Sequence, residues 1–367
     1  MDINQIPLGA PLSFEEPSKA WRDQQNKAGL SRETLSVPDA DLTGKWIIVV
    51  GANSGIGREA TLQFAKWGAN IILGCRSPPP YEPHPDQVVK ECQEAAKAHG
   101  HHNTTFEWWE TDYSKLDSVE AFAQRWLDTG RPLDVLCNNA GIGGTPNGAD
   151  LFKTSDGFEI HHQVNFLSHV LCTLRLLPAL ARAPQPRVTC TVSSMQFNGD
   201  FDLRNCNGEI KLPSRDGAHF YSNNKLWFQV WLTEMQRRLL QNDQYKHIII
   251  NGVHPGWVNS EIWNLKLEGL MGLLKITAFR LATRLMAINS QQGSLCILKG
   301  VTGMSEGGKY VSRTTIAEPM PHAKDPDCRQ RVWRKVNEEL KLQEKGLLDV
   351  LGLDYVEETN YETRARL

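Results

Sequence analysis

The sequence contains no cysteine pair at Cys-x-x-Cys spacing, no long apolar run and no block of like charge. Each absence removes a class of protein. The eight cysteines, Cys75, Cys92, Cys137, Cys172, Cys190, Cys206, Cys296 and Cys328, are scattered, and several fall inside expected strands or helices. That distribution suits reduced, buried thiols rather than a disulfide framework. Nothing approaches the roughly 20 apolar residues of a transmembrane helix, so none is expected. Residues 1–7 lack the basic start and apolar core of a secretory signal, so no cleaved signal is expected and a cytoplasmic location is. The formal net charge is −2 and the 40 basic residues are spread along the chain, which argues against a nucleic-acid surface. His101-His102 and His161-His162 have no further ligands at metal spacing, so no metal is expected. No Pro/Gly/Ser linker divides the 367 residues into two hydrophobic halves, and a single domain is expected.

What is present is a rhythm of buried strands and amphipathic helices. Ile47 to Val50 form a β-branched apolar run, and Arg58 to Trp67 carry apolar residues at helical spacing. Between them lie Gly51, Gly55 and Gly57, which can take positive φ and let the backbone approach a pyrophosphate at the positive end of a helix. A second buried strand ends in Asn138-Asn139-Ala140-Gly141, and Tyr221 and Lys225 stand one helical turn apart. Strands are expected at 46–51, 70–75, 105–110, 133–138, 187–193, 247–254 and near 309–311, with helices at 57–67, 85–98, 116–129, 158–183, 218–242 and 289–302. This alternation predicts an α/β, Rossmann-type doubly wound parallel sheet of about seven strands. Residues 196–217 and 264–287 interrupt the rhythm and are expected to form surface features.

With these features on view, the chain resembles the short-chain dehydrogenase/reductase family from about Leu42 to about Tyr310. The resemblance rests on Gly51, Gly55 and Gly57, on Asp112 after the third strand, and on Asn138 to Gly141 after the fourth. It continues through Asn165, Ser194, Tyr221 and Lys225 to the run His254-Pro-Gly-Trp-Val-Asn-Ser260. Gly74-Cys-Arg76, Gln163-Val-Asn-Phe-Leu-Ser-His169, Gln292-Gly293 and Gly308-Lys-Tyr310 look most like its retinol-dehydrogenase-like branch. The resemblance implies a nicotinamide dinucleotide held by Gly51, Asn53, Ser54, Gly55, Ile56, Gly57, Arg76, Asp112, Asn138, Asn139, Ala140, Gly141, Tyr221, Lys225, Pro255, Gly256, Val258 and Ser260. It also implies that Ser194 hydrogen-bonds the substrate oxygen, that Lys225 holds the nicotinamide ribose, and that Asn165 supports a proton-relaying water. Three positions depart from the family pattern. Val50 stands where threonine is usual, Asn224 stands where serine or alanine is common, and Ser194 and Tyr221 are about twice as far apart as usual, which makes 196–217 an insertion. Ser194 is preferred to Ser193 because it matches the family's second serine and neighbours on a strand face opposite ways.

The chemistry can be argued from the residues themselves. A carboxylate at the end of the second strand would bind a ribose 2′-hydroxyl and repel a 2′-phosphate. Here Cys75 and Arg76 stand at that end. A guanidinium can fork onto phosphate, which favours NADP(H) over NAD(H), whereas a surface arginine merely ending a strand would leave the choice open. Hydride addition to a carbonyl needs a proton donor, and the ammonium of Lys225 one turn from Tyr221 favours the phenolate that would exchange that proton. The expected function is an NADP(H)-dependent oxidoreductase interconverting a ketone or aldehyde and an alcohol on a lipophilic small molecule. A catalytically inactive cofactor-sensing scaffold of the same fold is the alternative, against which Asn165, Ser194, Tyr221 and Lys225 argue. The stretch 264–287 is read as a lid, a packing helix or a membrane contact, within an expected lid region at about 260–288. Residues 1–41 form a polar arm, either disordered or a strap favoured by Trp21, before the domain at 42–315. Residues 316–367 form an extension, helical over 330–353, whose apolar side could cover the body or a second subunit.

Overall fold

The computed structural model describes residues 6–79, 82–145, 151–210, 217–260, 262, 277, 281, 283–284 and 286–347. Its strands are β1 (Trp46–Val50), β2 (Asn70–Cys75), β3 (Phe106–Glu110), β4 (Val135–Asn138), β5 (Arg187–Thr191), β6 (Ile249–His254), β7 (Tyr310–Ser312) and β8 (Thr315–Ala317). They form one sheet in the order β3-β2-β1-β4-β5-β6-β7-β8. All neighbours are parallel except β7 and β8, which pair antiparallel. The seven expected strands end within two residues of their expected bounds. The correction is β8, which is too short to show any periodicity and follows a tight reversal in which Arg313 takes φ 57°.

Both faces of the sheet are covered, which is why its central strands are apolar throughout. In β1, Ile47 and Val49 join one core layer with Phe64, Ile71, Leu73 and Leu295. Ile48 and Val50 join the other with Ile72, Leu136, Val170 and Trp227. In chain order the described helices are α1 (Lys19–Ala28), α2 (Gly55–Lys66), α3 (Pro85–Ala98), α4 (Leu116–Asp128), α5 (Ile160–His162), α6 (Ser168–Leu180), α7 (Gly217–Gln241), α8 (Ser290–Thr302) and α9 (Pro326–Leu340). A π-helical turn, Gln163–Leu167, joins α5 to α6. Helices α2, α3 and α8 cover one face, and α4, α6, α7 and α9 cover the other. Local chemistry starts several of them. Pro85 and Pro326 occupy first turns, where no backbone donor is needed, and the Asp325 carboxylate caps α9 by accepting from Cys328 N. No helix among the described residues is long and apolar enough to cross a membrane. All eight cysteines are unpaired and buried.

The described part of the arm is a strap. Ser18 caps α1, Trp21 meets the Phe197 ring edge-on, and Arg22 donates to Gly199 O at 3.1 Å. The Gln292 amide brackets Leu35, accepting from its N at 2.8 Å and donating to its O at 3.0 Å. Arg313 donates to Ser31 O and Glu33 O, and Arg331 to Gly9 O. The expected surface insertion at 196–217 is corrected as well: Phe197, Phe201, Leu203 and Cys206 are buried in the core beneath the strap, while 211–216 lie outside the described residues. The expected lid at 264–287 also lies outside them, except for Thr277, Leu281, Thr283, Arg284, Met286 and Ala287.

The carboxyl-terminal helix spans Pro326–Leu340 rather than 330–353, and residues beyond 347 are outside the described set. Its Val332, Trp333, Val336 and Leu340, followed by Leu342 and Leu347, complete the same core. A buried ion pair fixes it there. His162 Nε2 lies 2.8 Å from Glu339 Oε2, and His162 Nδ1 lies 2.7 Å from Asn224 Oδ1. The Asn224 amide is oriented by donating its Nδ2 to Phe220 O at 2.7 Å. Both ring nitrogens therefore face acceptors, which favours the protonated ring. Burial pulls the His162 pKa down, but Glu339 and Asn224 outweigh it and hold it above the ordinary histidine range. Burial likewise pushes Glu339 up, and His162 and Lys335 hold it below the usual carboxylate range.

The pair gives a pH signature. The histidine contribution is complete below its unfolded pKa and fades as pH rises through the raised value, while the carboxylate contribution is lost only as pH falls through its lowered one. Thermal unfolding between about pH 6 and about pH 9 should show an alkaline loss of stability that Glu339→Gln removes. Glu339→Ala should cost about 3–5 kcal/mol near neutral pH, as expected when one partner of a buried pair is deleted.

Candidate active site

Strands β1 and β4 are neighbours, yet the helices that follow them cover opposite faces of the sheet. The chain therefore opens a cleft at the carboxyl ends of these strands, where the order reverses. The cleft holds about 650 Å³. Gly51 takes φ 72°, and a Cβ there would lie 2.9 Å from Ala140 Cα. A Cβ on Gly57 would lie 2.2 Å from Gly51 O and 2.4 Å from Asn139 Nδ2. No other residue fits either position without moving backbone. The Asn139 amide closes the arrangement by donating to Val50 O and Gly51 O, at 3.2 and 3.1 Å. Ser54 precedes α2 without a side-chain cap, so the first amides of the helix are left to a ligand, and Asn53, Ser54, Gly55 and Ile56 line the cleft beside them. A cradle in which no Cβ fits, set at an uncapped helix start, suits a pyrophosphate.

Past the end of β2 the cleft is polar. Arg76 is half-exposed, and its Nη2 lies 3.1 Å from Glu82 Oε1. Glu82 Oε2 in turn accepts from Asn53 Nδ2 at 3.2 Å. Burial pushes the Cys75 thiol up to about 12, so it stays neutral. Asp112 lines the cleft, but its Oδ1 is spent on the local turn, accepting from Ser114 N and Oγ at 3.0 and 2.7 Å. Burial would raise its pKa, and these bonds hold it below the usual range.

At the other end, α7 presents Tyr221 and Lys225 on one face. Lys225 Nζ donates to Thr191 O at 2.7 Å and lies 5.4 Å from the centre of the Tyr221 ring. Burial pushes Lys225 down to about 8. Burial pushes Tyr221 up to about 12, against a hydrogen bond with Ser193 that lowers it. In the cleft as it stands, Tyr221 is a protonated phenol at neutral pH, ready to donate rather than already ionised.

Four expected residues take other places. Ser193 lines the cleft and bonds Tyr221, whereas Ser194 points away, its N donating to His254 Nδ1 at 3.2 Å and its Cβ facing the strap at Gly29. Beyond β5 the strand has ended, so the expected strand alternation does not govern which serine faces the cleft. Asn138 is buried behind the turn, donating to Thr173 Oγ1 at 2.8 Å, and does not line the cleft. Gly57 lies beneath the turn rather than on the cleft wall. The Asn165 side chain is also behind the wall: its Oδ1 accepts from Ile142 N at 2.8 Å and its Nδ2 donates to Ile142 O at 2.9 Å. The remaining expected residues, Arg76, Asp112, Asn139, Ala140, Gly141, Pro255, Gly256, Val258 and Ser260 among them, do line it. Sequence reasoning missed Glu82, which sits in a proline-rich loop without periodicity, and the apolar wall of Ile142, Phe152, Ile160, Val164 and Ile262. Only the helical spacing of Ile160 and Val164 could have signalled that wall.

The two serines are separable by experiment. Ser193→Ala should lower the turnover of a reducible ketone by about 10²-fold, the usual loss of one donor to a developing oxyanion, while Ser194→Ala should leave turnover near that of the unsubstituted protein. Gly57→Ala should abolish nucleotide binding, measured by nicotinamide fluorescence, because its Cβ collides with backbone.

Comparison with known proteins agrees with this arrangement. A family model described as short chain dehydrogenase matches residues 45–203. Retinol dehydrogenase 14 of Mus musculus is 30% identical over 296 residues, covering 79% of this chain and 84% of that protein. Polyprenol dehydrogenase of Mus musculus is 28% identical over 297 residues, covering 79% and 82%. Among solved structures, an uncharacterized protein from Mycobacterium Paratuberculosis superposes with a TM-score of 0.60 at 24% identity, covering 83% of this chain and 96% of that one. A short chain dehydrogenase from Shigella flexneri 2a, solved with NADP, gives 0.53 at 19% identity, covering 74% and 98%. These two likenesses bear on the fold alone. With the sequence relatives, the glycine turn and the paired tyrosine and lysine, the chain belongs to the short-chain dehydrogenase/reductase family, in its retinol-dehydrogenase-like branch.

Proposed function

We propose that the protein is an NADP(H)-dependent oxidoreductase that interconverts a ketone or aldehyde and an alcohol on a lipophilic small molecule. The observation that carries this reading is the convergence of Tyr221, Ser193 and Lys225 at one end of a cleft whose other end holds the uncapped start of α2 and Arg76. When bound, a nicotinamide cofactor supplies or accepts the hydride. The amides at the start of α2 would hold its phosphates, and Arg76 would favour the 2′-phosphorylated form. Tyr221 gives its proton to the substrate oxygen as the carbonyl carbon is reduced, which leaves an alcohol and balances the charge of the added hydride. Ser193 donates a hydrogen bond to the same oxygen. Lys225, held by Thr191 O, would stabilise the phenolate left behind and would orient the ribose hydroxyls of the bound cofactor. Asn165 is a positioning residue: it grips Ile142 and keeps Gly141 beside Lys225. The apolar wall of Ile142, Phe152, Ile160, Val164 and Ile262 suits a lipophilic substrate. The name of a relative, retinol dehydrogenase 14, points to the same substrate class.

Titration with NADPH and NADH, followed by nicotinamide fluorescence, should show tighter binding of NADPH. Arg76→Ala should weaken NADPH by about tenfold or more, the loss of a charge-assisted bond. NADPH affinity should also fall as pH rises through about 8, where burial makes Lys225 lose its proton, and Lys225→Met should remove that dependence. Tyr221→Phe should bind cofactor normally and turn over nothing. Failure to bind either nucleotide would sink the enzyme reading.

A further inference from the structure

The second strand of a dinucleotide-binding fold commonly ends in the carboxylate that reads the adenosine ribose. In this chain that end carries Cys75, a buried neutral thiol, so the strand itself supplies no acceptor. The cleft nevertheless contains a carboxylate at this place. After Arg76 the sequence runs through Pro78, Pro79 and Pro80, and Glu82 returns to the cleft just before Pro83 and the start of α3. Its side chain is only 15% exposed. One oxygen meets Arg76 Nη2 at 3.1 Å and the other meets Asn53 Nδ2 at 3.2 Å. Asn53 belongs to the turn before α2, and its Nδ2 also points to Pro83 O at 3.3 Å. Glu82 is thus tied both to the phosphate turn and to the arginine that would receive a 2′-phosphate.

This changes what Arg76 can do. In the cleft as it stands, its guanidinium is not a free anion receptor, because Glu82 already holds it. A ribose bearing a 2′-hydroxyl can donate to Glu82 and leave the pair intact. A ribose bearing a 2′-phosphate must draw Arg76 away from Glu82, and it brings a like charge toward a partly buried carboxylate. We propose that Glu82 is the specificity-determining residue of the adenosine end: it reads the ribose 2′ position in place of a strand-end carboxylate, and by engaging Arg76 it limits the protein's preference for NADP(H). The inference rests on the cofactor reading above and adds to it a residue that opposes Arg76. It also explains why two groups of opposite sign share one corner of the cleft: neither alone sets the choice, and the balance between them does.

The test is a binding experiment on the full chain, with NADPH and NADH titrated separately by nicotinamide fluorescence and by calorimetry. Glu82→Gln keeps the shape and removes the charge. It should tighten NADPH by about tenfold while NADH weakens or stays unchanged. Glu82→Lys should shift the ratio further the same way. In the Arg76→Ala background, Glu82→Gln should tighten NADPH less, because the arginine it frees is gone. Retained melting temperatures show that any change is local. Equal shifts for both nucleotides, or unaltered NADPH affinity in a protein that binds both, would overturn the inference and leave the cofactor reading standing. Binding of neither nucleotide by the unsubstituted protein would overturn the cofactor reading and this inference with it.

Discussion

The cleft depends on how closely the turn after β1 approaches the turn after β4. Gly51 leaves no space for a Cβ against Ala140, Gly57 leaves none against Gly51 O, and Asn139 donates to both carbonyls that the turn would otherwise strand. Because the glycine contacts are with backbone atoms, which cannot swing aside as a side chain can, they fix distances rather than merely favour them. The start of α2 is held over one half of the cleft. The chain leaving β4 delivers Gly141 to the other half, within 3.9 Å of Lys225 Nζ when measured from an added Cβ. A single close approach thereby sets the span between the uncapped start of α2 and the end that carries Tyr221.

That second end is a polar island inside an apolar layer. An ammonium taken out of water is costly unless it is paired, and Lys225 is given a carbonyl, Thr191 O, rather than a carboxylate. A carboxylate would have locked the lysine into a permanent ion pair and held its proton tightly. The carbonyl leaves the ammonium oriented but poised, with its pKa drawn down toward neutrality by burial. Tyr221 is drawn the other way by the same burial. The two opposed shifts favour a proton on the phenol and a more readily released proton on the amine. The π-helical turn Gln163–Leu167 serves this end of the cleft too, since it contains Asn165, whose amide makes both of its bonds to Ile142.

The sheet was legible in the sequence because each parallel strand is buried on both faces and announces itself as an apolar run, as Ile47 to Val50 do. The glycine turn and the Tyr221–Lys225 pair were legible because they are local in sequence: the three glycines fall within seven residues, and Tyr221 and Lys225 are four apart. What escaped depends on chain reversals that carry no period. The eighth strand has three residues. Glu82 reaches the cleft through prolines, and the insertion after Ser194 is buried only because the amino-terminal arm and α9 lie over it. Asn138 and Asn165 are asparagines in the right places with side chains turned inward, a difference that spacing does not encode. Arg76 was visible as a cation, but its partner was not, and the partner alters what the cation can do.

The arm also explains why Ser193, not Ser194, faces Tyr221. After Val192 the chain leaves the strand, and Ser193 caps a short 3-10 helix, Ser194–Asn198, by accepting from Met195 N at 3.1 Å. Ser194 is then the first helical residue and its side chain swings toward the arm. There, a Cβ on Gly29 would lie 3.0 Å from both Ser194 Cβ and His254 Nε2, so the strap crosses in tight contact with both side chains. His254 completes the clamp. Its Nδ1 accepts from Ser194 N, which requires the proton on Nε2, and Nε2 donates to Gly29 O at 3.1 Å. Burial holds its pKa at about 4, so the neutral tautomer persists through the physiological range. Strap, β6 and the serine segment share this one neutral imidazole. The arm lies outside the stretch matched by the family model, yet it packs on the segment that turns Ser193 toward Tyr221.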